Sequence, residues 1–317
     1  MHGAPLSYLT GYGANADHVA PLTWGLLVIS IVVSVVIAVL VVAGIWLKRA
    51  RAPAAADAPL ARQGGGGWIV LGLAITGVVL AGSLVWTVVV LAAINGPPRP
   101  PGLTIEVTGQ QWWWKARYLS DDPARILVTA NEIHIPAGEP VRFRLIGADV
   151  IHSFWVPALA GKTDTVPGQI NVTWLEAAAP GRYRGQCTEF CGAQHAHMQF
   201  DIVAETPAEF RAWWDAQLRP AASPSGDDVK RGEQRFVFYC GACHTVRGSG
   251  AGGTVAPDLT HLMSRATIAA GTLPNNVANL SGWIANPQAI KPETKMPTLY
   301  LSGPELTDIR SYLLTLN

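Results

Sequence analysis

Residues 187–198 read CTEFCGAQHAHM and bring two thiols, an imidazole and a thioether into one short loop. Soft sulfur donors together with imidazole nitrogen favour copper, and a loop with Cys, His and Met plus a histidine upstream is the ligand pattern of a blue-copper β-sandwich. His152, in the segment DVIHSFW, is placed to be that histidine. Because two thiolates can each bridge two metal ions, the second cysteine predicts a pair of coppers instead of one. The donors of the loop are Cys187, Cys191, His195 and Met198.

Two other interpretations of the loop remain open. A disulfide between Cys187 and Cys191 is chemically possible outside the cytoplasm, but it would leave the histidines and the methionine without a role. Zinc is also conceivable, although zinc sites use Cys, His or carboxylate and methionine is a poor zinc ligand. His134 and His197 are interpreted as ordinary surface or strand histidines.

The sequence on either side of the loop predicts an all-β sandwich. Short β-branched or aromatic runs alternate with Pro and Gly turns at regular spacing, which is typical of such sandwiches. After them, a capping box at Thr206–Glu209, with Pro207 at the first helical position, opens a helix that we expect to end near Leu218. The predicted strands are Leu103–Val107, Glu132–Pro136 followed by Gly138, Val141–Leu145, Gln169–Trp174 and Gly181–Gly185.

Two uncharged apolar stretches precede the sandwich. The chain is 49% hydrophobic, and neither residues 22–47 nor residues 68–95 contain a charged side chain. A spanning helix needs only about 20 apolar residues, so we predict a two-helix transmembrane hairpin. The first stretch has no basic leader and is longer than a signal-peptide core, which predicts that it remains as an anchor.

The charges around the hairpin predict its orientation. The connecting loop, residues 48–67, carries four basic residues, whereas the first 20 residues carry no Lys or Arg. Positive-inside logic therefore puts the loop in the cytoplasm. The N-terminus and everything after residue 95 are then expected on the periplasmic side of a bacterial plasma membrane. No run of Lys or Arg suggests binding to nucleic acid.

A second cofactor motif follows the linker Pro220–Gly226, PAASPSG. The segment Asp227–Tyr239 is predicted to be a helix leading into Cys240-Gly-Ala-Cys243-His244, the C-x-x-C-H motif for covalent haem c. Its two thiols form thioethers to the porphyrin, and the histidine is the proximal iron ligand. A thioredoxin-like pair or half a zinc site would need a βαβ pattern or further cysteines. We therefore predict a haem c domain.

The sixth iron ligand is sought among the four methionines. Met296 is favoured, because the segment Lys295-Met296-Pro297 resembles the distal loop of class I cytochromes c and comes just before a final helix capped by Ser302–Glu305 and ending near Leu316. Met263 and His261 are the alternatives. The carbonyl of Pro257 is expected to accept a hydrogen bond from the other ring nitrogen of His244.

His152 together with C-x-E-x-C-x3-H-x2-M resembles in full the CuA signature of cytochrome c oxidase subunit II. This resemblance implies that Cys187 and Cys191 bridge both coppers. It also implies that the remaining ligands are His152 and Met198 for one copper, and His195 and the backbone carbonyl of Glu189 for the other.

Further residues acquire roles by the same resemblance. Residues 111–114, QWWW, resemble the family's aromatic patch, in which Trp112 would be the residue through which electrons enter. Trp113 and Trp114 are expected to be packing residues. The Glu189 carboxylate would face a Mg2+ site at the contact with subunit I.

The resemblance also implies a place in respiration. Electrons would pass from cytochrome c or a bc1 complex to haem c, then to CuA, and then to haem a of subunit I, where oxygen is reduced to water and protons are translocated. The two apolar stretches have no His to hold haem and no charged residue to relay protons, so that chemistry is expected in subunit I and other oxidase subunits. Ser83 stands where many family members have an acidic residue at a proton entrance, so proton uptake is expected to differ.

The whole sequence therefore predicts a multi-domain membrane protein. A nitrous oxide reductase is disfavoured because its propeller domain is absent, while a nitric oxide reductase subunit and a lone membrane-anchored electron carrier or copper-delivery protein remain as alternatives. The predicted segments are 1–21, an extracytoplasmic N-terminal segment; 22–95, the hairpin embedded in membrane lipid; 96–219, an all-β cupredoxin-like domain; 220–226, the linker; and 227–317, an all-α cytochrome c domain.

Overall fold

A computed structural model describes residue 6, residues 8–50 and residues 66–317 of the chain. Their contacts divide them into two compact bodies, one made of residues 17–96 and the other of the residues before 17 and after 96. The first body is a helical hairpin. The second holds a β-sandwich followed by a small helical domain, which is the architecture that the sequence predicts.

The hairpin consists of helix α1, Ala14–Ala50, and helix α2, Gly66–Ile94. Both are long and apolar enough to span a membrane, with mean hydropathies of 3.4 and 2.4 in their most apolar windows. Helix α1 begins well before the predicted apolar stretch, because the polar residues ahead of that stretch are also helical and Asp17 lies in the first turn, where a carboxylate is favourable. Most of the basic loop and residues 1–5 lie outside the described residues, so the orientation in the membrane stays a prediction.

Two five-stranded sheets form the sandwich, and their strands carry alternating buried and less buried residues. The strands are β1 (Leu103–Gln110), β2 (Trp113–Tyr118), β3 (Leu127–Ala130), β4 (Glu132–Pro136), β5 (Val141–Gly147), β6 (His152–Trp155), β7 (Thr163–Thr165), β8 (Ile170–Leu175), β9 (Gly181–Cys187) and β10 (Gln199–Glu205). The strand order is β3-β2-β1-β5-β8 in one sheet and β4-β10-β9-β6-β7 in the other. Only β1 with β5 and β4 with β10 pair in parallel among the described strands.

The sequence predicts β1, β4, β5, β8 and β9 but misses the other strands. Strand β10 alternates half-buried and buried residues along QFDIVAE, a period-two pattern that was present in the sequence. Strands β6 and β7 are four and three residues long, too short to show such a pattern. As expected, Trp114 is a packing residue: it is fully buried and meets Phe154 and Phe200 edge-on at ring distances of 5.7 and 5.4 Å.

The helical domain is built on a close crossing of two helices. A Cβ atom at Gly232 would lie 2.1 Å from the carbonyl oxygen of Asp308, so only glycine permits this approach. Phe236 and Tyr312 fill the core beside it. The helices after the sandwich are α3 (Pro207–Gln217), α4 (Asp227–Tyr239), α5 (Val277–Ala285), α6 (Pro287–Ile290) and α7 (Gly303–Leu313), with a two-stranded sheet of β11 (Thr267–Ile268) and β12 (Leu273–Pro274) between α4 and α5. The sequence predicts α3, α4 and α7 and misses α5 and α6.

One histidine of the sandwich is more than an ordinary strand residue. His134, in β4, is buried, and its ring stacks on Trp213 with centroids 4.1 Å apart. Nε2 lies 3.2 Å from Glu132 Oε1, and Nδ1 lies 3.1 Å from Glu205 Oε2. Burial alone would lower the pKa of His134, but the hydrogen bonds to the two carboxylates outweigh it and raise that pKa.

This arrangement predicts a stability that depends on pH. A histidine whose pKa is raised by folding stabilises the folded state below its unfolded pKa of about 6.5, and this contribution is lost as the pH rises through the folded pKa. We expect His134→Gln to lower the unfolding free energy by about 1–2 kcal/mol at pH 6, with the difference shrinking towards pH 9. Thermal unfolding of the full chain in detergent, followed by circular dichroism, measures this.

The exposed His197 provides the control for that measurement. His197→Gln should show no comparable dependence on pH. A loss of stability in His134→Gln that is the same at every pH would mean that the imidazole is packed as a neutral ring.

Candidate functional site

Strand pairing brings the predicted copper ligands together. His152 begins β6, Cys187 ends β9, and the two strands pair with Phe154 opposite Cys187. The loop after Cys187 closes on itself, because the backbone N–H of Cys187 donates to the carbonyl of Met198 at 3.0 Å, just before β10 begins. The sandwich thus fixes both ends of the loop and the distant histidine against each other.

All the predicted donor atoms meet in one buried cluster. His152, Cys187 and Cys191 alone place their ligand atoms within 4.8 Å of one another. The separations are 3.7 Å for Cys187 Sγ to Cys191 Sγ, 3.9 Å for Cys187 Sγ to His152 Nδ1, 3.5 Å for Cys191 Sγ to His195 Nδ1, 3.9 Å for Cys191 Sγ to Met198 Sδ and 3.3 Å for Cys187 Sγ to the carbonyl oxygen of Glu189.

The donor set fits copper better than the alternatives. The sulfurs lie 3.7 Å apart, farther than the roughly 2.05 Å of a disulfide, and both cysteines are free in this structure. The fully buried thioether of Met198 lies on the sulfur pair, and thioether sulfur is a ligand for copper and not for zinc. The residues present therefore fit a thiolate-bridged copper pair.

The two thiols differ in acidity. A hydrogen bond from the Cys191 thiol lowers the pKa of Cys187, whereas the same bond raises the pKa of Cys191. Of the two thiol protons, the one on Cys187 is therefore lost readily, and the one on Cys191 is retained. Because a metal ion binds thiolate and displaces that proton, cations are needed to stabilise both sulfurs in their charged form.

His152 is oriented by a carboxylate that the sequence analysis did not single out. Asp149 Oδ1 lies 2.8 Å from His152 Nε2, so Nδ1 is the nitrogen that faces Cys187. Burial alone would raise the pKa of Asp149, but the backbone N–H of Gln111 and the His152 ring lower it to about 2. A carboxylate near a ligand histidine is the usual device for fixing its tautomer, and this could have drawn attention to Asp149.

Trp112 lies directly on the cluster. Its indole Nε1 donates to the carbonyl oxygen of Cys191 at 3.0 Å, and Gln111 Nε2 donates to the same oxygen at 2.7 Å. Trp112 is only 6% exposed. The residue predicted to receive electrons is therefore in hydrogen-bond contact with a copper-ligand backbone, but it is covered.

Glu189 has two different environments. Its backbone carbonyl points to Cys187, whereas its carboxylate is exposed and lies 3.6 Å from Lys162 Nζ. Mg2+ demands near-octahedral oxygen coordination, which this single carboxylate cannot supply. The magnesium ligand role thus stays a prediction that needs groups from another chain.

The haem c motif follows directly on helix α4. Cys240 and Cys243 are free, and His244 Nδ1 lies 2.8 Å from the carbonyl oxygen of Pro257, the contact expected from the sequence. Since a carbonyl can only accept, the proton lies on Nδ1 and the lone pair on Nε2 is available to iron. The backbone N–H of Ala256 donates to the carbonyl of Cys243, which brings the preceding residue, Val255, close to this motif. The Val255 side chain is 72% exposed. Free thiols, a tautomer fixed by a carbonyl and an adjacent apolar surface fit a covalent haem.

The candidate sixth ligands lie in different surroundings. Met263 packs against the core of the helical domain, and both ring nitrogens of His261 are engaged, Nδ1 with the carbonyl of Asn317 at 2.7 Å and Nε2 with that of Arg219 at 3.1 Å. Met296 is half-buried, and its carbonyl accepts a hydrogen bond from Gln288 Nε2 at 2.8 Å. This leaves Met296 as the thioether not committed to the core.

The helical domain also touches the surroundings of this cluster through two lysines that the sequence analysis did not assign a role. Lys291 Nζ donates to the carbonyl oxygens of Trp112 at 2.7 Å and His197 at 2.8 Å. Lys295 Nζ lies 3.1 Å from Asp149 Oδ2. Nothing in the local sequence signals these contacts, because they join segments far apart in the chain.

Two protein-family models match the chain. The model described as cytochrome c oxidase subunit II, periplasmic domain, matches residues 115–206, and the model described as cytochrome c matches residues 229–317. The solved periplasmic domain of subunit II of cytochrome oxidase from Bradyrhizobium japonicum is 34% identical, with a TM-score of 0.35, and the match covers 38% of this chain and 95% of that one.

Curated relatives agree with the family models. Cytochrome c oxidase subunit 2 of Alkalihalophilus pseudofirmus is 41% identical over 194 residues, or 61% of this chain, and that of Bacillus sp. (strain PS3) is 33% identical over 238 residues, or 71% of this chain. The chain spans 55% and 65% of the lengths of these two relatives. The chain belongs to the cytochrome c oxidase subunit II family and carries a cytochrome c domain.

Proposed function

We propose that this chain receives electrons through covalent haem c and passes them through a dinuclear CuA centre to haem a in subunit I of a haem-copper oxidase, which reduces oxygen to water and translocates protons. The observation that carries the proposal is the convergence of two free thiols, two imidazoles and a thioether in one buried cluster against which a cytochrome c domain is packed. The cofactors, when bound, supply one-electron redox chemistry.

The chain's own residues define where those cofactors are held. Cys187 and Cys191 would bridge the coppers, and the other ligands would be His152, His195, Met198 and the carbonyl of Glu189. A rigid, buried ligand set suits electron transfer, because little has to move when the charge of a centre changes. The sandwich provides that rigidity by fixing both ends of the loop, and the hydrogen bond that His152 Nε2 donates to Asp149 fixes the plane of the His152 ring.

The membrane hairpin anchors this assembly in our proposal. Helices α1 and α2 would cross the bacterial inner membrane and leave both redox domains in the periplasm, the compartment named in the matching family model. The side chain of Ser83 in α2 carries no charge, and the Ser83 carbonyl accepts a hydrogen bond from Thr87 Oγ1 at 2.8 Å. Proton uptake would therefore rely on groups of subunit I. A soluble cytochrome c or a bc1 complex would be the donor.

Purification of the complex from membranes tests the proposed function. We expect the chain to copurify with a subunit that contains haem a, to hold copper and haem c, and to consume oxygen when reduced cytochrome c is supplied. Turnover of nitric oxide by a complex with haem b would contradict the proposal in favour of a nitric oxide reductase. A lone chain would support an electron carrier or copper-delivery protein.

A matched pair of histidine variants tests the copper assignment. His195 Nδ1 faces Cys191, whereas His197 Nδ1, in the same turn, lies 2.7 Å from Gln194 Oε1. We expect His195→Asn to lose at least one copper and His197→Asn to keep both, because only the first removes a ligand. Metal analysis and electron paramagnetic resonance of the complex provide the measurement. Zinc in place of copper in the wild type would overturn the assignment.

A matched pair of methionine variants tests the sixth iron ligand. We expect Met296→Leu to abolish the sulfur-to-iron charge-transfer band of oxidised haem c and to lower its reduction potential, because thioether ligation raises that potential. Met263→Leu, a volume-conserving change in the core, should keep both. Optical redox titration of haem c measures the effect. The opposite pattern would identify Met263 as the ligand.

A further inference from the structure

Lys291 is an unusual residue in the contact between the two redox domains. It comes from the cytochrome domain, yet it is only 2% exposed. Its ammonium donates to three backbone carbonyls: those of Trp112 and His197 in the copper domain, at 2.7 and 2.8 Å, and that of Ala269 in its own domain, at 3.3 Å. One side chain therefore ties together the aromatic segment, the copper-ligand loop and the cytochrome domain.

The cost of burying this ammonium shows that the contact is specific. Burial lowers the pKa of Lys291 to about 7, since desolvation disfavours the charged form. Carbonyl dipoles compensate that cost only when all three oxygens point at the ammonium. A small displacement of one domain relative to the other would leave the charge without partners, so the geometry of docking is sharply defined.

Lys295 makes a second connection, four residues further on. Its ammonium lies 3.1 Å from Asp149 Oδ2, and the other oxygen of Asp149 lies 2.8 Å from His152 Nε2. The neighbouring residue in the chain is Met296. A short path of one ion pair and one hydrogen bond thus runs from the predicted haem ligand to the copper-ligand histidine.

The rest of the interface surrounds these two lysines. The backbone N–H of Ala266 donates to Glu132 Oε2 at 3.1 Å, and the backbone N–H of Gln199 donates to the carbonyl of Ala270, also at 3.1 Å. A Cβ atom at Gly271 would lie 2.8 Å from Cβ of Gln199, so the two backbones approach as closely as in a protein core. The interface is therefore continuous along the start of β10.

We propose that Lys291 and Lys295 are positioning residues that dock the cytochrome domain on the copper-ligand loop and thereby set the distance between the two redox centres. This inference rests on the proposed function. When both cofactors are bound, one electron at a time would cross between them, with no bond formed or broken. Because Trp112 is only 6% exposed, a soluble donor would meet the cytochrome domain and not the tryptophan.

The test uses the full oxidase complex and begins with its copper and haem c content. The lack of either cofactor in the wild type would contradict the proposed function itself. In loaded complexes, haem c is reduced by a laser-triggered photoreductant and the transfer to copper is followed optically. We expect Lys291→Met to slow this transfer by about tenfold or more, because losing even one hydrogen bond to a charged group shifts docking by that factor.

Two further measurements separate positioning from general damage. Lys291→Met should lower kcat with a soluble cytochrome donor and leave KM unchanged. Cleavage of the linker 220–226 by a non-specific protease should be about tenfold faster, because it follows the population of the undocked state. The exposed Lys230→Met, on α4, is the matched control and should behave like the wild type in all three measurements.

Variants of Lys295 replace Lys291→Met if that variant protein does not accumulate in the membrane. Its side chain is 65% exposed, so variants should fold. Lys295→Glu, which repels Asp149, should slow the transfer and lower the copper reduction potential. Lys295→Arg, which keeps the positive charge, should leave both at their wild-type values. An unchanged transfer rate in loaded Lys291→Met would overturn the docking proposal and leave the proposed function intact. If Lys291→Met does not accumulate, an unchanged rate in loaded Lys295→Glu would have the same meaning.

Discussion

The copper domain depends on holding two cysteine sulfurs 3.7 Å apart in a buried site. Two thiolates at this distance repel each other strongly when water is excluded, so without a cation the pair keeps one proton between them. The sandwich holds the loop that carries both cysteines closed by pairing β9 with β10 on either side of it, so that metal binding neutralises the sulfurs without first having to order them.

The polar groups around the cluster form a second requirement. The carbonyl of Cys191 accepts hydrogen bonds from both Gln111 and Trp112, and the outer nitrogen of His152 is held by Asp149. Buried polar networks stabilise a single geometry only when their members are satisfied. Two lysines of the cytochrome domain add to this network: Lys291 donates to the carbonyl of Trp112, and Lys295 donates to the second oxygen of Asp149, which also accepts from the backbone N–H of Gln111. The copper domain and the cytochrome domain thus complete each other's hydrogen bonding.

The sequence revealed the chemistry of the chain better than its assembly. Ligand motifs such as residues 187–198 and 240–244 are local, so their donor types and spacing could be recognised in the sequence. Strand β6 was missed although it carries His152, because four residues in a turn-rich region show no period. Lys291 could not have been predicted at all, since its role depends on backbone carbonyls 94 and 179 residues away in the chain.

The tether is a second factor that keeps the two domains docked. A short linker between two modules gives an effective concentration of about millimolar, so the interface need supply only a modest affinity. An exposed ion pair such as Lys295 with Asp149 contributes little to that affinity, whereas the buried hydrogen bonds of Lys291 both add to the affinity and fix the geometry. The linker and Lys291 therefore share the affinity, and the two lysines provide the geometry. Electron transfer needs both, because its rate depends on distance more than on the strength with which the partners are held.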